Sequence, residues 1–292
     1  MAFLFWKRKN KPVKHPSIRL GLVLGGGGAR GFGHLGVLKA LSEWGVEVDI
    51  VAGTSVGSLV GALFCAGKTV DEMIEIAKNI KVKDVKSSKF FFMPSSSQKV
   101  EEYMQQLLGG DKVFSELKIP LGIVCTNMKN GQEVDIYAGS VAKAAAASSS
   151  VPGVFKPVVY NDMILVDGGL KNNVPCDVAR KMGADRVIAV DVNSTRGKGT
   201  ESTKMFKLLK STIGVMMHAN VESRMPLADV VLQPNLTEFS SSKLDGLEEM
   251  IDIGYKEALA HKEQIFYLLS KKLSRKEKKK WQEFRQNNPI LK

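Results

Sequence analysis

The pentapeptide Gly53-Thr54-Ser55-Val56-Gly57 has the pattern G-x-S-x-G. At a strand-to-helix junction this pattern makes a tight turn that exposes the serine hydroxyl as a nucleophile, and the glycines give the backbone room. Such a hydroxyl needs a base. Hydrolases with the chain order Ser…Asp/Glu…His require a histidine well downstream, and of the four histidines only His218 and His261 follow Ser55. Both fall inside periodic helical segments rather than on a loop after a strand. Asp167, in Val166-Asp167-Gly168-Gly169, is better placed, because it follows the apolar stretch Met163 to Val166 and precedes two glycines that leave its carboxylate uncrowded. Asp-Gly-Gly is also the composition of a plain turn.

A third group is Gly25-Gly26-Gly27-Gly28-Ala29-Arg30-Gly31. Consecutive glycines let successive N–H groups turn toward one point beside a helix N-terminus, which makes a site for negative charge. Gly26-x-Gly28-x-x-Gly31 matches the dinucleotide fingerprint, with Asp49 at the distance expected of a ribose-binding acid. Against this, the second strand of a dinucleotide domain ends in that acid, whereas here it ends in Ser55. No Gly-Lys-Ser/Thr follows, so a Walker-type phosphate loop is excluded. Asp191 is a rival acid without flanking glycines and reads as structural. His34 reads as packing or capping the first helix. Phe90-Phe91-Phe92-Met93 could form a lipid-contacting lip or a buried turn, and Met205 to Met225 could be core packing or an acyl-chain wall.

The elements that position these groups are legible. Ile18 to Gly25, Val48 to Thr54, Leu121 to Asn127, Val134 to Tyr137, Arg186 to Val192 and Asp229 to Leu232 read as strands, and Val158 to Asp167 as a hairpin around Asn161-Asp162. Gly33 to Trp44, Val56 to Ala66, Val70 to Ile80, Lys99 to Leu108, Ser140 to Ser150 and Pro175 to Met182 read as helices. Strands alternating with helices predict a three-layer α/β/α fold with a mainly parallel central sheet and Ser55 at a strand-to-helix elbow.

Hydrophobic residues make up 44% and charged residues 25% of the 292-residue chain, a globular balance that excludes a mostly disordered or collagen-like protein. The longest apolar stretches, such as Ser58 to Gly67, fall short of the roughly 18–20 residues of a membrane-spanning helix. The formal net charge of +12 is concentrated at the two ends. Residues 1–19 carry six bases and no acid, residues 270–292 nine bases and two acids, and the body between them is near neutral. That distribution argues against a nucleic-acid-binding face on the folded body. Met1 to Pro16 opens with Ala2-Phe3-Leu4-Phe5-Trp6 and then turns basic, the order of a short interfacial anchor for anionic headgroups rather than of an export signal. A disordered terminus with incidental charge is the plainer alternative. Cys65, Cys125 and Cys176 read as buried thiols of a reducing, cytoplasmic compartment, and no cysteine or histidine spacing suits a metal.

Glycine loop, G-x-S-x-G and Asp-Gly-Gly in that order closely resemble the patatin-like phospholipase family. The resemblance extends to Ala146-Ala147-Ser148-Ser149-Ser150-Val151-Pro152-Gly153-Val154-Phe155 and to Asn172-Asn173-Val174-Pro175, and covers roughly residues 18–260. Gly25 departs from the aspartate of plant patatins, at a position that varies among bacterial members. The resemblance implies an α/β acyl hydrolase with a Ser–Asp dyad and no histidine, acting on carboxylic esters of lipids, phospholipid or lysophospholipid, without a cofactor. It makes Ser55 the nucleophile, Asp167 the base, Gly26, Gly27 and Gly28 the oxyanion hole, and Arg30 the basic residue of the loop, with Gly31, Gly53, Gly57, Gly168 and Gly169 supporting the motifs. The expected organisation is a basic and apolar N-terminal tail over 1–17, a hydrolase domain over 18–260 and a basic helical C-terminal tail over 261–292. The tails would hold the protein on the anionic inner face of the membrane. A dinucleotide enzyme and a non-catalytic membrane-associated regulator of the same fold are the alternatives from other classes.

Overall fold

Apolar runs bounded by glycine, and small-residue or amphipathic helices between them, set the order of elements in the computed structural model, which describes residues 14–87, 97–194, 205–241 and 243–290. The chain runs β1 (Leu20–Leu24), α1 (Phe32–Glu43), β2 (Ile50–Thr54), α2 (Val56–Cys65), α3 (Val70–Ser87), α4 (Ser97–Leu108), β3 (Leu121–Asn127), β4 (Gln132–Ile136) and α5 (Val141–Ser148). It continues through β5 (Val158–Tyr160), β6 (Met163–Asp167), α6 (Cys176–Lys181), β7 (Arg186–Val190), α7 (Met205–Ala219), β8 (Val230–Leu232), α8 (Leu247–Ala260), α9 (Lys262–Ser270) and α10 (Arg275–Asn287).

Strands β8, β7, β1, β2 and β3 lie side by side in that order, all parallel. They are buried on both faces, which is why they read as continuous apolar runs rather than alternating ones. Leu20, Leu22 and Leu24 of β1 join the larger core with residues of α1 to α5, α8 and α9, whereas Val23 points the other way, into a smaller core with α6 and Val221. The layers are therefore three, but unequal.

At β3 the sheet changes character. One edge of β3 carries antiparallel β4 from Ile123 to Asn127. The opposite edge is shared: parallel β2 occupies it as far as Val124, and antiparallel β6 takes it over from Cys125 to Asn127. β5 then pairs with β6 through the Asn161-Asp162 turn, with Asn161 at φ 52°. Because β2 and β6 run in opposite directions along one edge, their C-terminal ends point at each other. The residues at those ends are Thr54-Ser55 and Asp167.

The described residues at both ends of the chain pack on the body, and the C-terminal segment is helical as expected. Lys14 pairs with Asp49 at 2.5 Å, His15 N–H donates to the Leu269 carbonyl, and Ile18 packs with Leu273 and Trp281. The folded body thus begins at or before residue 14, and residues 1–13, which hold the expected anchor, lie outside the described residues. The basic C-terminal segment is docked rather than free. Ser274 and Glu277 form a capping box that starts α10, Glu277 meets Arg186 at 2.6 Å, and the Arg180 guanidinium stacks 3.6 Å over the ring of Trp281, which is 4% exposed. A lone helix of such composition would gain little in water; the buried tryptophan and the ion pair supply the reason it folds onto the body. No helix among the described residues is long and apolar enough to cross a membrane.

Candidate active site

Ser55 follows the last residue of β2 and adopts φ 53°, ψ −127°, a positive φ that non-glycine residues rarely take and that costs on the order of 1–3 kcal/mol. Its backbone is held from both sides. The N–H donates to Ser148 Oγ at 2.8 Å, and that hydroxyl donates to the Val124 carbonyl at 2.6 Å. The Ser55 carbonyl accepts from the N–H and the hydroxyl of Ser58, in the first turn of α2. None of these bonds uses the Ser55 hydroxyl. Gly57 makes the elbow sterically allowed, since a Cβ there would lie 2.0 Å from the Leu24 carbonyl oxygen.

Asp167 ends β6 fully buried. Its N–H donates to the Ser150 carbonyl, its own carbonyl accepts from Thr126 Oγ1, and Oδ1 accepts from Gly169 N–H at 2.8 Å. Burial pushes the carboxyl up to about 6, against the smaller opposing effects of the neighbouring Ser55 hydroxyl and the Gly169 N–H. Oδ2 is buried without a hydrogen-bond partner among the described residues, so the contact with Ser55 is looser than a formed hydrogen bond. A hydroxyl in an elbow beside an acceptor lone pair with a near-neutral pKa is an arrangement able to move a proton.

The glycine loop lies against Ser55, where a Cβ on Gly26 would sit 3.2 Å from Ser55 Cβ. Of the three glycines expected to offer N–H groups, Gly26 is corrected: its N–H donates to the Asn173 carbonyl at 3.0 Å. Gly25 and Ala29 are likewise engaged, with Val190 and Ser241, which leaves the Gly27 and Gly28 amides as the ones without a hydrogen bond among the described residues. Gly28 adopts φ 61° and passes so close to the Ser241 carbonyl that a Cβ would lie 2.2 Å from its oxygen. Arg30 is buried and works sideways rather than into the site, with Nη1 donating to Asn193 Oδ1 and Nε and Nη2 to the Phe239 carbonyl. His34 bonds the Gly25 carbonyl through Nε2 at 2.8 Å, and burial lowers its pKa to about 4, so the ring is neutral and donates. It positions the loop.

Other candidate residues lie apart. Asp49 precedes β2, at the end of the sheet opposite the glycine loop, and its Oδ2 accepts from Leu20 N–H and Lys14. That removes the ribose-binding acid from the dinucleotide reading. Asp191 accepts from Asn193 N–H and so shapes the loop that receives Arg30. His218 is on α7, on the side of Asp191, and His261 caps α8 through the Glu257 carbonyl. The three cysteines are free and buried, and burial raises each thiol. Phe90 to Met93 lie outside the described residues.

Three supporting residues lie outside the residues expected at the site. Ser148 holds the elbow. Asn173 donates to the Gly26 carbonyl at 3.3 Å, and Asn220, after α7, accepts from Asn173 N–H and donates to the Gly169 carbonyl, tying the glycine loop to the aspartate loop. A hydroxyl closing an alanine-rich helix and an asparagine pair ahead of a proline are the sequence signals that mark the first two.

The Patatin-like phospholipase family model matches residues 22–180, more than half of the chain. The chain belongs to this family. Among its relatives, Patatin-like phospholipase domain-containing protein 6 of Mus musculus is 38% identical over 188 residues, which are 60% of this chain and 14% of that protein. Lysophospholipase nte1 of Aspergillus fumigatus is 35% identical over 181 residues, 60% of this chain and 12% of that protein. The chain therefore spans a small part of the length of these family members. The crystal structure of VipD from Legionella pneumophila shares the fold, with a TM-score of 0.50 at 14% identity over 88% of this chain and 68% of that one.

Proposed function

We propose that this protein is a serine acyl hydrolase that cleaves carboxylic ester bonds of phospholipids or lysophospholipids through an acyl-enzyme on Ser55. The observation that carries the reading is the shared edge of β3, where β2 and β6 meet end to end and bring Ser55 beside the buried Asp167 carboxylate. In this reading Asp167 accepts the Ser55 proton as Oγ attacks the ester carbonyl. The Gly27 and Gly28 amides receive the oxyanion, each donor contributing a factor on the order of 10²–10³. Collapse breaks the C–O bond, and Asp167 returns the proton to the departing alcohol. Water then attacks the acyl-enzyme with Asp167 again as base, releasing the fatty acid and restoring Ser55. A carboxylate with a pKa of about 6 is an effective base near neutral pH, yet weaker than imidazole, which favours esters over amides. Membership of the family and the names of its relatives support lipid as the substrate class. The basic residues among 1–13 support an anionic membrane surface as the place of work.

Fluorophosphonate labelling with peptide mapping, alongside hydrolysis of a short-chain p-nitrophenyl ester, tests the reading on wild type, Ser55→Ala and Asp167→Asn. The expected result is label on Ser55 alone and turnover lost in both variants. A wild type that neither labels nor turns over would refute the enzyme and leave a non-catalytic regulator of this fold.

A further inference from the structure

The end of α7 and the turn after it read Met217-His218-Ala219-Asn220-Val221. At helical spacing the residues at i, i+3 and i+4 share one side, and Met217, Asn220 and Val221 all turn toward the body. Val221 is 4% exposed in the smaller core. Met217 lies over Gly169, where a Cβ would be 2.0 Å from its Cε. Asn220 is half-buried between them, and its carboxamide is used at both ends. Nδ2 donates to the Gly169 carbonyl at 2.8 Å and, more weakly, to the Met216 carbonyl at 3.4 Å, while Oδ1 accepts from Asn173 N–H at 2.9 Å. The donor meets carbonyls and the acceptor meets an N–H, so these partners fix which way the carboxamide points.

Each residue that Asn220 holds is one bond away from a group of the proposed reaction. On one side, Gly169 N–H donates to Asp167 Oδ1 at 2.8 Å. On the other, the Asn173 carbonyl accepts from Gly26 N–H at 3.0 Å, and Asn173 Nδ2 donates to the Gly26 carbonyl at 3.3 Å. The Gly26 carbonyl and the Gly27 N–H belong to one planar trans peptide and point in opposite directions, so a bond that fixes the carbonyl also aims the oxyanion donor. We propose that Asn220 is a positioning residue of the hydrolase: its carboxamide sets the spacing between the oxyanion donors and the Asp167 carboxylate, and it does so from the end of α7, so that the seating of this helix governs the chemical step. The proposal rests on the Ser55–Asp167 reading and adds a residue that no sequence motif marks. Water could replace either bond of the carboxamide, but it could not hold the two partners at a fixed distance from each other.

The test uses the full chain and the variants Asn220→Ala, Asn220→Asp, Met217→Ala and M217A/N220A. Asn288→Ala, which removes an asparagine that caps α10 through the Phe284 carbonyl, is the matched control. Hydrolysis of a soluble p-nitrophenyl ester gives kcat and KM, and urea unfolding gives the folded fraction. Inhibition by an alkyl trifluoromethyl ketone, which adds the Ser55 hydroxyl across its carbonyl, reports the oxyanion donors without turnover. The expected result for N220A is a fall in kcat of at least about tenfold with KM within about twofold, the signature of groups misplaced for the transition state alone, and an equal weakening of ketone binding. N220D keeps the shape but turns an oxygen toward the Gly169 carbonyl, and loses at least as much. M217A shows a smaller loss of the same kind, M217A/N220A is no slower than N220A because both act through one seat, and N288A matches wild type. A kcat within about twofold of wild type in both N220A and N220D overturns the proposal, as does a loss that merely follows the folded fraction or appears in KM alone. Multiplying effects in M217A/N220A overturn the seating by α7. An active wild type with unaffected Asn220 variants refutes this role alone, whereas a wild type that neither turns over nor labels at Ser55 with a fluorophosphonate refutes the hydrolase reading and this role with it.

Discussion

Asp167→Asn keeps the shape of the buried carboxyl, and with it the acceptor for Gly169 N–H, while removing the charge. In the unfolded chain this aspartate titrates at 3.8, and burial raises it to about 6 in the native state. Between those values the native protein binds a proton that the unfolded chain has released, so this group's contribution to stability falls as pH rises and is fully unfavourable above about 6. At roughly 1.4 kcal/mol per pH unit of difference, the native carboxylate costs ~3 kcal/mol at neutral pH. The neutral amide carries no such cost. The variant is therefore expected to be more stable than wild type by up to ~3 kcal/mol, or up to roughly 5 °C in Tm, at about pH 7.5, with the advantage disappearing near pH 4. Urea unfolding of both proteins across this range measures it. In parallel, with Asp167 as the proposed base, wild-type kcat/KM on a soluble ester should rise with pH through about 6 and level off, and D167N should be inactive at every pH. A D167N protein no more stable than wild type at about pH 7.5, or one whose advantage does not depend on pH, would refute the claim that a buried, near-neutral Asp167 is held at a cost in stability.

Ser55→Gly relieves the positive φ at the elbow whereas Ser55→Ala retains it, so S55G should be about 1 kcal/mol more stable than S55A by chemical denaturation, with both inactive. Arg30→Lys cannot reproduce the fork that reaches both Asn193 and the Phe239 carbonyl; a loss of roughly 2–3 kcal/mol in stability is expected, with kcat falling more than KM rises. Trp281→Ala should destabilise the protein by roughly 3 kcal/mol or more and leave vesicle binding per folded molecule unchanged, because the ring is stacked under Arg180. Deleting residues 1–13 should do the reverse, weakening binding to anionic vesicles in a flotation assay while urea unfolding and soluble-ester turnover stay as in wild type.

The individual pieces of the site were readable along the chain because each obeys a short-range constraint. A strand entering four glycines, a serine between glycines at the end of the next strand, and a small-residue helix behind it are all dictated by sterics within a few residues, and the structure contains each of them. Alternation of apolar runs with helices likewise gave the parallel half of the sheet. Which acid meets Ser55 is a different kind of question. Asp49, Asp167 and Asp191 all flank strands, and although the two glycines after Asp167 single it out locally, they do not say that its carboxylate reaches Ser55. The choice follows from β6 entering antiparallel and displacing β2 from one edge of β3 at Cys125, which brings Asp167 to a serine more than a hundred residues away in the chain. The same holds for Gly26, whose N–H is claimed by Asn173, and for α10, whose lysine-rich sequence reads as a basic tail but is held on the body by Arg180 and Arg186 beneath it. Local sequence fixes which conformations a segment can adopt. Only long-range pairing decides which groups of opposite chemistry are left facing each other with water excluded, and that is where the pKa of Asp167 is set.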